Sequence, residues 1–289
     1  LFARGEKPEY LFWVGCAGAY DDRYKKVAGA FAKILTHLKV SFAVLGKEET
    51  CTGDPARRAG NEMLYQMQAF QNIEIFKMYE VEKIITICPH CYNIFKNEYP
   101  DLGGHYEVIS YVEFLDKQIA NGKLKLNLSK FANDRITYHD PCYLGRANGI
   151  YDDPRRVLRA LTTNLIEMDR NRSFALCCGA GGGQMFKEAE KGEKEVFIER
   201  TEDALKINPQ IIATSCPFCM TMLSVTSGWS RLGGMPLTAS ASSMSSNRRS
   251  STNCRPPRRT SAIAGSSAKS IPVSFMAAPP ALLWSHHSE

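Results

Sequence analysis

Two stretches of the sequence carry the same pattern: EKIITICPHC at residues 82–91 and QIIATSCPFC at residues 210–219. In each, a run rich in β-branched residues leads directly into a Cys-Pro-x-Cys motif. Such runs favour buried strands. We therefore expect each stretch to be a strand whose carboxyl end presents two cysteines.

The spacing of the cysteines indicates an internal duplication. In the first half the steps between cysteines are 35, 37 and 3 residues, and in the second half they are 35, 39 and 3. The first set is Cys16, Cys51, Cys88 and Cys91, and the second is Cys142, Cys177, Cys216 and Cys219, with Cys178 added. The sequence thus predicts two copies of one architecture, a first repeat at residues 1–121 and a second at 134–224.

Strands and helices alternate along both predicted repeats. Further short apolar runs precede cysteines at residues 10–15, 41–46, 135–139 and 164–168, and helical stretches are predicted at 24–38, 61–80 and 184–207. This alternation is typical of parallel sheets with crossover helices. We expect an α/β fold of two pseudo-symmetric repeats, each a small, mostly parallel sheet with flanking helices. The apolar stripe Met63, Met67, Phe70 and Ile73 is predicted to face the core.

The amino-acid composition is that of a globular protein. The 289 residues contain 44% hydrophobic and 23% charged residues, which is globular usage. No apolar run approaches the roughly 20 residues of a spanning helix, and the charged start of the chain does not resemble a signal peptide. We expect a cytoplasmic location, including the cytoplasmic face of a membrane reached through other subunits. Because the chain starts at Leu1, we expect it to be part of a longer protein.

Residues 225–289 differ in composition from the rest. They hold 16 Ser, 7 basic residues and 1 acidic residue, whereas the first 224 residues carry 29 of each charge. The net charge of +6 therefore belongs to this segment. Arginine-rich segments can bind nucleic acid, but Ser, Pro and Ala dominate here without apolar periodicity, so we predict a disordered or frameshifted tail and no nucleic-acid partner.

Ten cysteines in a chain of this size indicate metal binding or catalysis rather than disulfide staples. Parallel strands deliver their carboxyl ends to one edge, so the thiols of each repeat are expected to converge there. Thiolates select zinc, copper(I) or iron–sulfur clusters, and the five thiols of the second set exceed a tetrahedral zinc site. The glycines of residues 179–183 are predicted to bring backbone amides to a cluster, through Gly179, Gly181, Gly182 and Gly183.

The motifs HDPC at residues 139–142 and CCGAGGG at 177–183, followed by Cys-Pro-x-Cys, resemble the cysteine-rich CCG domain found in the B and D subunits of heterodisulfide reductase. The domain also occurs in iron–sulfur subunits of glycolate oxidase, lactate-utilisation and glycerol-3-phosphate dehydrogenase systems. The resemblance covers residues 8 to 224. It implies an oxidoreductase with one or two [4Fe-4S] clusters that carry electrons between a flavoprotein, a quinone or a ferredoxin-like domain and a disulfide or other acceptor. It further implies a noncubane cluster on five cysteines in the second repeat.

One residue departs from the family pattern. Thr52 stands where the first repeat would have the counterpart of Cys178. With four thiols, the first site is expected to hold a cubane cluster or zinc. The nearby His90 and His139 are predicted to support the sites through hydrogen bonds or packing rather than as ligands.

Two other interpretations of the cysteines remain open. One is a thiol–disulfide oxidoreductase that uses Cys88 and Cys91, and the other is a zinc-stabilised binding module. The Asp and Arg pairs at residues 21–22, 57–58, 152–153 and 155–156 are predicted to be solvated starts of helices, although an Arg pair could also bind an acidic partner or an anionic substrate group. Cys254 lies outside the repeated spacing and receives no role.

Overall fold

The first repeat is built on a parallel sheet of four strands. A computed structural model describes residues 4–126, 131–188, 192–229 and 271–274. The strands are β1 (Tyr10–Trp13), β2 (Phe42–Ala43), β3 (Lys83–Thr86) and β4 (Glu107–Ser110), in the order β2-β1-β3-β4. The strand at 82–87 is therefore confirmed, and β4 was not predicted from the sequence.

Helices connect these strands in the first repeat. They are α1 (Gly15–Tyr20), α2 (Asp22–His37), α3 (Asp54–Arg58), α4 (Glu62–Met78), α5 (Pro89–Asn93) and α6 (Tyr111–Ala120). Side-chain caps fix several starts: Asp21 accepts the Tyr24 amide at 3.0 Å, and Asn61 accepts the Leu64 amide at 3.0 Å. The predicted helices at 24–38 and 61–80 are confirmed to within two residues.

Both faces of the first sheet are covered by apolar side chains. In β1, Phe12 faces the cluster formed with α2 and α6, whereas Leu11 and Trp13 face the cluster formed with α4 and the segment after α5. Strand side chains alternate between faces, so a strand buried on both sides reads as a continuous apolar run. Trp13 is completely buried, with its ring 4.9 Å from that of Phe95.

The second repeat reproduces the central part of this sheet. Its strands are β5 (Ile136–His139), β6 (Ile211–Thr214) and β7 (Ile271–Ser274), paired in parallel in that order. A single parallel bridge joins Ile136 to Leu165, in the place that β2 takes beside β1. The predicted strand at 164–168 is thus reduced to one bridge. The α/β class with two pseudo-symmetric repeats is confirmed.

The helices of the second repeat are α7 (Asp152–Arg159), α8 (Val196–Lys206) and α9 (Pro217–Trp229). The predicted helix at 184–207 was too long. Within its described residues only a short 3₁₀ turn, Gln184–Phe186, precedes α8. Glycines before this turn adopt positive φ, which favours a loop over a continuing helix.

One predicted core face is wrong. Met63, Met67 and Phe70 are 76%, 58% and 48% exposed, whereas α4 buries Tyr65 and Phe76 against the sheet. Apolar and polar residues are interspersed around the whole circumference of α4, so its periodicity does not identify the inner face. Ile73, the fourth member of the predicted stripe, is half-buried.

The two repeats share a core and polar contacts. The apolar cluster on α2 and α6 includes Leu144, Val157 and Met220 from the second repeat. At the boundary, Asn148 donates to Asn93 Oδ1 at 3.1 Å, and the Arg156 guanidinium pairs with Asp116 at 2.7 Å. The two repeats therefore pack against each other through a shared apolar core and are not joined by the linker alone.

Most of the C-terminal segment lies outside the described residues, and with it most of the predicted disordered or frameshifted tail. Two described parts differ from that prediction: α9 continues to Trp229, and Ile271–Ser274 forms β7 beside β6. Across the described parts of the chain, no helix has both the length and the apolar character that a bilayer span requires.

Candidate metal centres

The thiols of the second repeat come from the carboxyl ends of its strands. Cys142 follows β5 by three residues, Cys216 follows β6 by two, and Cys219 lies in the first turn of α9. Cys177 and Cys178 enter from the loop before the glycine run. Parallel strands and short connections thus bring cysteines that are up to 77 residues apart in sequence to one edge.

The five thiols of this set form a connected group. Cys178, Cys216 and Cys219 lie in one buried cluster, and the Cys177 thiol interacts with those of Cys142 and Cys178. The interactions with Cys142 and Cys178 lower the pKa of Cys177 far below its usual range. A thiolate is the form that binds metal, so Cys177 is suited to ligation, whereas the same interactions raise the pKa of Cys142 and of Cys178.

His139 stands beside this group. One ligand atom each from His139, Cys178 and Cys219 lie within 4.8 Å of one another. Arg200 Nε donates to His139 Nδ1 at 2.9 Å, which leaves the proton on Nε2. Burial and then the charge of Arg200 lower the pKa of His139 to about 3, so the ring is neutral. This tautomer favours a hydrogen-bond donor at Nε2, as the sequence predicts, over a metal ligand.

The first repeat gathers four thiols in the corresponding positions. Cys88 ends the loop after β3, Cys91 lies in α5, and both belong to one buried cluster. Cys16 and Cys51 lie close enough for their charges to act on Cys88 and Cys91. The charge of Cys216 in turn acts on Cys88, so the two thiol sets are neighbours.

The loops of the two repeats share one turn geometry. The Gly53 amide donates to Cys51 Sγ at 3.4 Å, and the Gly179 amide donates to Cys177 Sγ at 3.3 Å. Both glycines have positive φ, 92° and 82°. This geometry places Thr52, which is 3% exposed, in the backbone position of Cys178.

Gly181, Gly182 and Gly183, the other glycines predicted to bind a cofactor, do not pack against the thiols. A Cβ at Gly181, Gly182 or Gly183 would meet no atom within 4 Å, so these residues border open space. Positive φ at Gly182 and Gly183 accounts for glycine there. The predicted cofactor-binding role of the run stays a prediction.

The structure adds two residues that the sequence did not indicate. Glu49 accepts the Gly15 amide at 2.5 Å and the Val14 amide at 3.1 Å, which ties the loop of Cys51 to the helix of Cys16. Burial raises the pKa of Glu49 to about 7. Trp13 Nε1 is buried without a hydrogen-bond partner among the described residues. A Cβ built on Gly15 would be 3.8 Å from this nitrogen and 3.4 Å from Cys91 Sγ, so Trp13 Nε1 lies near the first thiol set.

The donor sets fit thiolate-bound metal. All nine cysteines of the described residues are free, although their thiols lie together. Sulfur is the soft donor that zinc and iron–sulfur clusters take. Buried groups that donate without an acceptor, such as Trp13 Nε1 beside the first set and Arg200 Nη2 beside His139, are suited to an anionic group.

Known proteins share these motifs. A family model of the CCG cysteine-rich domain matches residues 10–96 and 136–224. The chain is 50% identical over 226 residues to an EtfAB:quinone oxidoreductase of Syntrophomonas wolfei, an alignment that covers 76% of this chain and 31% of that protein. It is 50% identical over 220 residues to a probable iron-sulfur-binding oxidoreductase, FadF, of Bacillus subtilis, with the same two coverages.

A third relative is more distant. A dihydromethanophenazine:CoB–CoM heterodisulfide reductase chain of Methanosarcina barkeri is 34% identical over 230 residues, which are 76% of this chain and 54% of that protein. The chain thus spans about a third of the length of the first two relatives and about half of the third. Two matched segments, each ending in a Cys-Pro-x-Cys motif at a strand end, agree with the two sheets and the two thiol sets. The chain therefore belongs to the CCG cysteine-rich domain family.

Proposed function

We propose that this chain is the iron–sulfur electron-transfer module of a heterodisulfide-reductase-like oxidoreductase. The observation that carries the proposal is that the second repeat brings five thiols to one edge of its sheet. A structural zinc site takes four ligands, so the fifth thiol favours an iron–sulfur cluster there. The names of relatives, which include an iron-sulfur-binding oxidoreductase, support the same chemistry.

The ligands are assigned by repeat, with boundaries at residues 1–121 and 134–224. Cys142, Cys177, Cys178, Cys216 and Cys219 hold a [4Fe-4S] cluster of the noncubane kind. Cys16, Cys51, Cys88 and Cys91 hold a cubane cluster or zinc. When bound, such clusters take up and release single electrons at potentials set by hydrogen bonds, charge and burial.

The chain's own residues prepare the two sites. The amides of Gly53 and Gly179 donate to thiol sulfur, which favours the thiolate form. The four cysteines of the two Cys-Pro-x-Cys motifs are each at most 5% exposed, so water is kept away from their thiols; they are Cys88, Cys91, Cys216 and Cys219. Electrons pass between a redox partner, either a flavoprotein, a quinone or a ferredoxin-like domain, and a disulfide or other acceptor. This exchange takes place in the cytoplasm or at the cytoplasmic face of a membrane.

The test is anaerobic purification followed by iron, sulfide and zinc analysis and electron paramagnetic resonance (EPR). We expect a brown protein with iron and acid-labile sulfide and at least one EPR-active cluster. A colourless protein that contains zinc alone would contradict the proposal and support the zinc-stabilised binding module.

A thiol–disulfide oxidoreductase is the second candidate. The neighbouring Cys91 thiol lowers the pKa of Cys88, which favours this candidate because one thiol of a reactive pair must be activated. However, the two cysteines are 4% and 5% exposed, and exchange requires access to the attacking thiol. Iron-free protein that reduces a disulfide substrate while Cys88 and Cys91 are oxidised to a disulfide, with activity lost in Cys88→Ser, would favour this candidate.

The first site should respond to a fifth thiol. Thr52 occupies the turn position of Cys178, and its hydroxyl is a poor ligand for soft metals. We expect Thr52→Cys to move the EPR spectrum and iron content of the first site toward those of the second. Thr52→Ser, which keeps the hydroxyl, is the matched control. If Thr52→Cys and the control have the same iron content and spectrum, the assignment of the first site as a degenerate copy is wrong.

A further inference from the structure

Trp13 and His139 occupy the same place in the two repeats. Each is the last residue of the first strand of its repeat, β1 or β5, and each stands three residues before the first cysteine of its thiol set. Trp13 pairs with Thr86, the final residue of β3. His139 pairs with Thr214, the final residue of β6. Both repeats therefore place a nitrogen-containing ring at the edge of the sheet where their cysteines meet.

The two rings also lie near equivalent sulfurs. In the second repeat, a ring nitrogen of His139 lies within 4.8 Å of Cys219 Sγ. In the first repeat, a Cβ built on Gly15 would be 3.8 Å from Trp13 Nε1 and 3.4 Å from Cys91 Sγ. Cys91 and Cys219 are each the second cysteine of a Cys-Pro-x-Cys motif. Trp13 Nε1 thus lies on the side of the first thiol set that corresponds to the side of His139 in the second.

The indole N–H of Trp13 has no acceptor in the part of the chain that the structure describes. Its nitrogen is buried, and the whole residue is closed to solvent. The ring is held edge to face by Phe76 and Phe95, at centroid distances of 5.6 and 4.9 Å. Buried donors nearly always have a partner in folded proteins. Because the ring is fixed and no water reaches it, a group bound at the neighbouring thiols is the acceptor that this N–H lacks.

Gly15 keeps the space beside this N–H free of side chain. Its φ is 76°, a conformation that favours glycine. A Cβ there would also lie 3.9 Å from Cys88 Cβ, so it would occupy space that adjoins the indole N–H and both cysteines of the first Cys-Pro-x-Cys motif. A group held by Cys88 and Cys91 therefore meets the indole N–H without a side chain from Gly15 in between.

We propose that the indole N–H of Trp13 donates a hydrogen bond to metal-bound sulfur in the first centre, the metal group held by the first thiol set. This inference rests on the proposed function in that it requires metal at the first site, either a cubane cluster or zinc. Metal-bound sulfur carries negative charge, so it accepts a hydrogen bond more strongly than a free thiol. The bond stabilises the centre, and in a cluster it favours the reduced state, which is more negatively charged.

The sharpest variant removes only the N–H. Replacing Trp13 by benzothienylalanine, in which sulfur takes the place of the indole N–H, keeps the size and shape of the ring. We expect a cluster in the first centre to become about tenfold harder to reduce, which for a one-electron couple is about 59 mV toward lower potential. If the first centre is zinc, we expect about tenfold weaker retention of the zinc against a chelator. The EPR signal or metal that disappears in Cys91→Ser identifies the first centre.

Two further variants complete the experiment. Trp13→Phe also removes the N–H but leaves a cavity beside Phe76 and Phe95, so we expect the same shift together with a lower unfolding temperature. Trp229→Phe is the matched control, because Trp229 is the last residue of α9 and lies outside the repeated cysteine spacing. It should leave the potential or zinc retention of the first centre unchanged.

The outcomes separate this inference from the function on which it rests. An unchanged potential or zinc retention of the first centre in the benzothienylalanine variant would overturn the inference alone. So would a shift in Trp13→Phe that the benzothienylalanine variant lacks, because it would report ring packing, or a shift confined to the second centre, the metal group held by the second thiol set. Zinc alone in the unsubstituted chain would contradict the proposed function, and the chelator experiment would still decide the inference. A chain with neither iron nor zinc would overturn both.

Discussion

Replacing Cys177 by Ser is expected to reduce the iron and sulfide of the second site to background. Its thiol lies beside those of Cys142 and Cys178 and accepts the Gly179 amide, so it connects Cys142 to the rest of the ligand group. Serine oxygen is a hard donor and is not ionised at neutral pH, so it does not replace a thiolate. Cys216→Ala, at the other end of the group, should have the same effect. Metal analysis and EPR of anaerobically purified variants measure the loss.

The loss should also lower stability. The four thiols that remain without a metal keep the cost of their burial but lose the metal–ligand bonds, and metal affinity is coupled to folding. We expect a lower unfolding temperature for both variants. Cys254→Ser is the control, because Cys254 lies outside the repeated spacing and should keep full iron content. Unchanged iron and melting in Cys177→Ser and Cys216→Ala would refute the ligand assignment.

The cysteine spacing predicted the fold class because strand and ligand are adjacent in this architecture. A β-branched run that ends at Cys88 or Cys216 specifies both a buried strand and the edge where ligands meet. The face of α4 was not predictable in the same way. Met63 and Met67 are as apolar as the residues that pack inward, so composition alone does not distinguish the inner face from the outer.

The polar groups around the thiols were harder to find. Glu49 and Arg200 act through contacts with residues distant in sequence, and no spacing rule connects Arg200 to His139. Asp54 and His90, whose Oδ2 and Nδ1 atoms lie 2.7 Å apart, did leave a signal, because Ala180 and Phe218 stand at the aligned positions of the second repeat. Comparing the repeats position by position would have identified this pair, whereas considering each motif separately did not.

Arg155 was predicted to be solvated, and this is wrong. It is completely buried, and its guanidinium forms bonds of 2.7 and 2.9 Å to Asp140 and of 2.7 and 2.9 Å to Glu167. Asp140, which is 4% exposed, precedes Pro141 and Cys142 and also accepts the Arg172 amide at 2.8 Å. Arg155 therefore holds the loop that delivers Cys142 to the second centre.

We expect Arg155→Met to lower the free energy of unfolding by about 3–5 kcal/mol, because it leaves the buried Asp140 carboxylate without its ionic partner. Arg155→Lys should also destabilise the protein, since one ammonium group does not form two bidentate pairs. Anaerobic denaturant unfolding, with iron content measured on the same samples, tests both variants. Loss of iron is expected to accompany the loss of stability.

The neighbouring arginine provides a matched control for this prediction. Arg156 pairs with Asp116 and Asp153, but its side chain is 51% exposed, and exposed ion pairs contribute about 0.2–1 kcal/mol. Arg156→Met should therefore cost under about 1 kcal/mol and leave the iron content unchanged. The two substitutions are chemically identical and adjacent in one helix, so a difference between them reports burial and the partner lost. Equal effects on stability would mean that the Asp140 carboxylate finds other partners or water, and that Arg155 does not hold the Cys142 loop.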